Sequence, residues 1–228
     1  MSERSGVVKH RLTRRRTALF AVISGVSGIV ANLSLAGFFA VGAPGDASAR
    51  WAWLGPANDI TGAISMAALI PVVIHLRREL RASGVVRLLS GASIAGMGAL
   101  ALVAPLMLSG MVSLTAQFVV AGVALPVIFG WLLAVNLAAG RSAVLPAGNA
   151  LFGRTVGAAA LAGTALAAFG AVAPPSSTLQ RLLFAAAAVV GLPAYLAFPV
   201  WPILVSRSIL HGAADAVPRR TIAVGKER

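Results

Sequence analysis

Asp59 is the residue whose type and surroundings point most directly to chemistry, because it is an acid at the edge of a long apolar stretch. A carboxylate in hydrocarbon is costly, so it calls for a partner, a ligand or a proton relay to account for it. Thr61 and Ser65 follow it, and Asn32 and Gln117 interrupt two other apolar runs. If those runs meet, Asn32, Asp59, Thr61 and Gln117 converge in one polar pocket able to orient a small ligand by a few hydrogen bonds. The same carboxylate could work as a general acid or base. Two plainer roles compete. An acid in the first turn of a helix complements the macrodipole and caps free amides, which Asp59 or Asn58 would do if a helix opens at Pro56 or Ala57. Asn and Gln also hold helices together in lipid, at about 0.6 kcal/mol per bond on average. Arg50 is a candidate ion-pair partner for Asp59.

Other chemistry is narrowed by what the chain lacks. With no cysteine, thiol catalysis, iron–sulfur clusters and thiolate metal sites are excluded. His75 and His211 fall in arginine-rich segments at the ends of apolar runs, whereas a membrane haem needs facing histidines inside a bundle; no metal and no cofactor is expected. Gly25-Val26-Ser27-Gly28 matches the Gly-x-Ser-Gly of rhomboid-like intramembrane proteases. That chemistry needs a histidine to activate the serine, and no apolar run offers one well inside it, so Ser27 reads as a small packing residue.

The elements that must position these residues are membrane spans. Hydrophobic residues make up 58% of the chain and charged ones 11%, with a mean hydropathy of +0.89; a soluble domain carries about a quarter charged residues. A helix needs about 20 apolar residues to cross about 30 Å of hydrocarbon. The uncharged runs 18–45, 88–140, 155–180 and 182–206, the second long enough for two spans broken at Ser109-Gly110, supply five helices. A sixth fits between Pro56 and Leu76. The predicted fold is therefore an all-α polytopic bundle with spans at 18–41, 56–76, 88–108, 112–137, 155–173 and 181–205. This transmembrane domain, 18–206, is flanked by basic tails at 1–17 and 207–228. The first run is nearly twice as long as the apolar core of an export signal, about 7–15 residues, so it reads as a retained helix despite Ala47-Ser48-Ala49 downstream.

Charge sets the orientation. Of the 19 Lys and Arg residues, all but Arg50 and Arg181 fall on one side of this arrangement. They lie in the first tail (Arg4, Lys9, Arg11, Arg14, Arg15, Arg16), the second loop (Arg77, Arg78, Arg81, Arg87), the fourth loop (Arg141, Arg154) and the last tail (Arg207, Arg219, Arg220, Lys226, Arg228). Cytoplasmic loops carry this excess, so both termini are expected in the cytoplasm and the protein in the inner, cytoplasmic membrane. The net charge of +13 then reflects topology and attraction to anionic lipids at the cytoplasmic face, and nucleic acid is not an expected partner.

Small residues spaced for close packing recur at Ser24 and Gly28, Ala92 and Gly96, Gly153 and Gly157, and from Ala159 through Gly163 and Ala167 to Ala171. Pro193, Pro199 and Pro202 predict an irregular inner half of the last span. Trp51 and Trp53 at one interface and Trp201 at the other read as an aromatic belt. Tyr195 is a candidate donor to a freed backbone carbonyl, and Asn136 a hydrogen bonder at a helix end.

The arginine-rich start, Trp51 to Asp59 leading into the second span, Leu145-Pro146 before the fifth, and the Pro-Val-Trp-Pro-Ile-Leu run at 199–204 resemble a group of uncharacterised six-span bacterial integral membrane proteins of unknown function. The resemblance implies the architecture and carries over no activity and no site residues. Three functional expectations remain open. The first is binding or moving a small lipophilic ligand through the outward-facing polar pocket. The second is an intramembrane enzyme using Asp59 as general acid or base on an isoprenoid-like substrate, and the third a non-catalytic subunit or sensor.

Overall fold

The structure, a computed structural model, describes residues 2–41, 51–80, 84–142 and 144–214, and the side chains of 12–40, 51–80, 84–142 and 144–210. Arg50, Arg81, the Ala47-Ser48-Ala49 stretch, the basic residues of the last tail beyond Arg207 and the side chains of Arg4, Lys9, Arg11 and His211 lie outside the described residues. Seven helices are present among them: α1 (Ser2–Val41), α2 (Leu54–Glu79), α3 (Gly84–Leu108), α4 (Leu114–Ser142), α5 (Ala147–Val172), α6 (Thr178–Ala197) and α7 (Val200–Ala214). By length and composition six stretches can cross a bilayer, the last running from α6 into α7 across Thr178–Leu210. The chain is a multi-pass helical membrane protein.

Helices α2 to α5 run further toward the arginine-rich end than the uncharged runs suggest. Arg77, Arg78 and Glu79 finish α2, Arg87 lies in α3, Arg141 in α4 and Arg154 in α5. The reason is physical: a long Arg side chain lays its stem along the apolar surface and carries its head to water, so the helix need not end where charge begins.

From α1 to α6 each helix packs on its neighbours in sequence, and the ring closes where α7, which continues the span of α6, lies against α1. Short connections enforce the up-and-down order. Gly110, at φ +77°, ends α3 with Met111 N–H donating to the Leu106 carbonyl at 3.0 Å and Gly110 N–H to Met107 at 2.9 Å, a glycine-dependent helix stop. Ser177 caps α6 by accepting from Gln180 N–H at 3.1 Å, and Gln180 in return accepts from Ser176 N–H at 2.8 Å.

The sixth span is broken at Phe198-Pro199. Pro199 and Pro202 have no N–H to give, and Trp201 N–H bonds the Phe198 carbonyl at 3.1 Å in a tighter turn. The break sits in the middle of the crossing, and the chain beyond it is regular helix, where irregularity over the whole inner half was expected. It seats on α1: a Cβ on Gly28 would meet Pro199 at 2.9 Å, and Gly25 lies against the Pro199 carbonyl and Ile203. Gly28 and Gly25 are therefore the contact itself.

Most of the buried apolar side chains lie toward the arginine-rich end, where Leu69, Leu76, Ile128, Leu132, Trp131 and Trp201 are fully enclosed. Trp201 is 0% exposed, so it is a core residue; Trp51 and Trp53, before α2, are exposed as a belt requires. Lipid is as apolar as leucine, so helices here associate through close packing. Gly163 on α5 meets Gly191 on α6 so closely that a Cβ on it would fall 2.5 Å from the Gly191 Cα. Gly163→Val should separate the two helices and destabilise the protein by about 1–3 kcal/mol. Gly122→Val, facing open space, should be silent. Thermal unfolding in detergent of the two variants side by side checks this, and equal melting points would refute the glycine contact.

Candidate functional site

Helix α2 opens at Leu54, with Trp53 at the cap position and no side chain capping it. Asp59 is therefore in the second turn, past the free amides of the helix start. Neither it nor Asn58 caps the helix. Its carboxylate is used sideways: Oδ1 accepts from the Asn58 amide at 3.3 Å and from Gln117 Nε2, across on α4, at 3.2 Å. Gln117 reaches it because Ser113 starts α4 just before, its hydroxyl accepting Ala116 N–H at 3.2 Å.

These groups sit in a cavity of about 140 Å³ walled by five helices: Ala31 from α1, Asn58, Asp59, Gly62, Ala63 and Met66 from α2, Leu100, Val103 and Ala104 from α3, Gln117, Ala121 and Leu125 from α4, and Tyr195 from α6. Tyr195 begins deep in the membrane, yet side chains on a helix lean toward its N-terminus. For α6 that is the end at which α2 begins. A mostly apolar pocket with a few converging polar groups is the usual form of a small-molecule site.

Of the residues singled out in the sequence, Asp59 and Gln117 are brought together. Asn32 lines an adjoining cleft of about 30 Å³ that shares Ala31, Gly62, Met66, Leu125 and Tyr195 with the main cavity. Its amide donates at 3.4 Å to the Leu196 carbonyl, just before the proline break, and so holds α1 to α6. Thr61 lines neither cavity. Its hydroxyl returns to its own helix, donating to the Ala57 carbonyl at 2.6 Å. Ser65 links α2 to α1 by donating to the Ser24 carbonyl at 2.8 Å.

A second polar group lies in the basic half. Asn136 is fully buried, donates to the Leu132 carbonyl at 2.8 Å and accepts Trp201 Nε1–H at 3.1 Å. Arg154 Nε donates to the Asn136 carbonyl at 3.2 Å, its guanidinium lying over Gly140 where no side chain intervenes. Asn136 is thus an interior link between α4 and α7. Nearer the basic surface, Arg14, His75, Glu79, Leu145, Ser208 and Ile209 help to line a cavity of about 160 Å³. Its charges answer one another: Arg14 pairs with Glu79 at 3.1 Å, and His75 Nε2 lies 3.9 Å from the same oxygen.

Tyr195 and the depth of Asn136 were the residues the sequence did not place. For Asn136 the signal was the proline break, beyond which Trp201 reaches α4 by its N–H and its ring. No family model matches the chain, and neither does any curated protein or solved structure. Asn136→Leu would leave the Trp201 indole N–H buried and unpaired, at a cost of about 1–3 kcal/mol. A lowered unfolding midpoint in detergent, with Gln117→Leu closer to the parent, is the expected result.

Proposed function

We propose that the protein binds a small lipophilic ligand, or moves it across the membrane, through the Asp59 cavity. The observation that carries this reading is the meeting of Asp59 and Gln117 inside a mostly apolar hollow reached by five helices. A polar pair that only joined two helices would need no cavity around it. The basic-end cavity is less apt, since Arg14 and Glu79 already satisfy each other.

In this reading the arginine-rich end is cytoplasmic, in contact with anionic lipid, and the Asp59 end faces outward across the inner membrane. Among the described residues Arg14, Arg15, Arg16, Arg77, Arg78, Arg87, Arg141, Arg154 and Arg207 belong to the first side. Only Arg181, in the first turn of α6, belongs to the second.

The absence of native cysteine makes the test direct. Met111→Cys and Pro175→Cys, in the outer turns, should react with a membrane-impermeant thiol reagent added to intact cells, and Ser142→Cys only after permeabilisation. Ala121→Cys in the cavity wall should react with a small reagent from outside, more slowly than Met111→Cys. It should still exceed by about tenfold, or 1.4 kcal/mol in barrier, the rate at Ala124→Cys, one turn along and buried. Equal rates at Ala121→Cys and Ala124→Cys would overturn the open pocket.

A further inference from the structure

We infer that the ligand of this cavity is a small organic cation, a protonated amine with a short aliphatic body; the inference rests on the pocket reading above. Four observations lead to it.

The first is an acid without a counter-ion among the described residues, which do not include Arg50. The ion pairs among the described residues join Arg14 and His75 to Glu79 at the basic end, and none involves Asp59. Both amide donors that reach Asp59 bond Oδ1. Oδ2 has no hydrogen-bond partner among the described residues.

The second is a spare acceptor beside it. Gln117 spends its Nε2–H on Asp59, and its Oε1 is buried with no hydrogen-bond partner. Turning the amide over would bring two acceptors together, so the carboxylate itself holds Oε1 in this role. A buried acceptor left unmade costs about 1–3 kcal/mol. An ammonium has three donors and no acceptor, the complement of a carboxylate oxygen and an amide oxygen that both lack donors among the described residues.

Third, no described residue lining the cavity is cationic, while Tyr195 offers an aromatic ring and Met66 a polarisable thioether. An aromatic face attracts a desolvated cation. An anion would meet Asp59 with like charge, and a ligand without donors would leave both acceptors unmet. Fourth, a bare metal cation fits poorly: Ca²⁺ and Mg²⁺ take about six or more oxygens, and Leu100, Val103, Leu125 and Ala104 supply none from their side chains. At about 140 Å³ the space is close to the engineered apolar cavity of about 150 Å³ that holds benzene. That admits a short alkyl or cyclic amine.

The test uses the full chain carrying Ala121→Cys, in phosphatidylcholine nanodiscs at neutral pH. Three probes of equal length, hexylammonium, hexanol and hexanoate, compete with thiol labelling. Hexylammonium should protect the cysteine at concentrations about tenfold below hexanol, the size of one charge-assisted hydrogen bond, and hexanoate least of all. Asp59→Asn keeps the shape and should erase the preference for the amine while hexanol still protects. Gln117→Met, which removes the spare acceptor, should weaken amine protection in the same direction and carries the test if Asp59→Asn fails to insert. Equal protection by amine and alcohol, or stronger protection by hexanoate, overturns the cation assignment and leaves the pocket standing. No protection by any probe overturns both. Equal amine protection at Val123→Cys, which faces lipid, would trace the effect to the bilayer and also overturn the assignment.

Discussion

The seating of the Phe198-Pro199 break on Gly25 and Gly28 is the contact that organises the molecule. It closes the ring of helices, since α7 meets α1 there, and it splits the last span into two parts with separate tasks. Below the break, α7 drives Trp201 into the core, where its ring lies edge-on to Trp131 at 5.7 Å and its N–H reaches Asn136. Above it, α6 presents Tyr195 to the cavity and the Leu196 carbonyl to Asn32. Without side chains at Gly25 and Gly28, the proline ring approaches the α1 backbone; with side chains there, the ring of helices would have to open.

The two halves of the bundle follow from that division. Toward the basic end large side chains interlock, and Asn136, Trp201, Arg154, Arg14 and Glu79 bond one another across helices, while the buried Trp131 Nε1–H has no partner among the described residues. Toward the other end the same helices carry Ala31, Gly62, Ala63, Ala104 and Ala121 on the inward side, too small to fill the space between them. In a membrane this imbalance is tolerable because stability rests on the packed half. Lipid supplies no strong drive to collapse the other half. The hollow is a consequence of residue size, and the polar groups at its wall decide what it suits.

Much of this was legible in the sequence, for a definite reason. Uncharged runs of sufficient length report the spans, and the Ser109-Gly110 and Pro174-Pro175-Ser176-Ser177 breaks report the turns, because lipid penalises charge and helices stop at specific residues. The meeting of Asp59 with Gln117 was also foreseeable, as both enter their helices at the same membrane level. Helix ends were less visible: Arg154, inside α5 with its head on the Asn136 carbonyl, shows that an arginine marks the edge of hydrocarbon and not the end of a helix. Trp201 misled for a similar reason. Its depth depended on how a broken helix turns, which depends on glycines in another span. Thr61 and Asp59 are two residues apart on one helix and so point in different directions; sharing a level did not put Thr61 in the cavity.

The two acids whose side chains are described make the functional argument sharper than either does alone. Glu79 stands at the basic end among cations and is answered by Arg14 within hydrogen-bond range, the arrangement expected of an acid kept for structure. Asp59 stands at the opposite end, supported by neutral amides on one oxygen and by nothing on the other among the described residues. Neutral donors orient a carboxylate without cancelling its charge. A site that served only to join α2 and α4 would do better with a second amide in place of the acid, since that pair would make the same bond with no uncompensated charge to hold beside hydrocarbon. On the proposed reading a cation offsets the cost of keeping a negative charge there, and the cavity beside Asp59 has room for a small one.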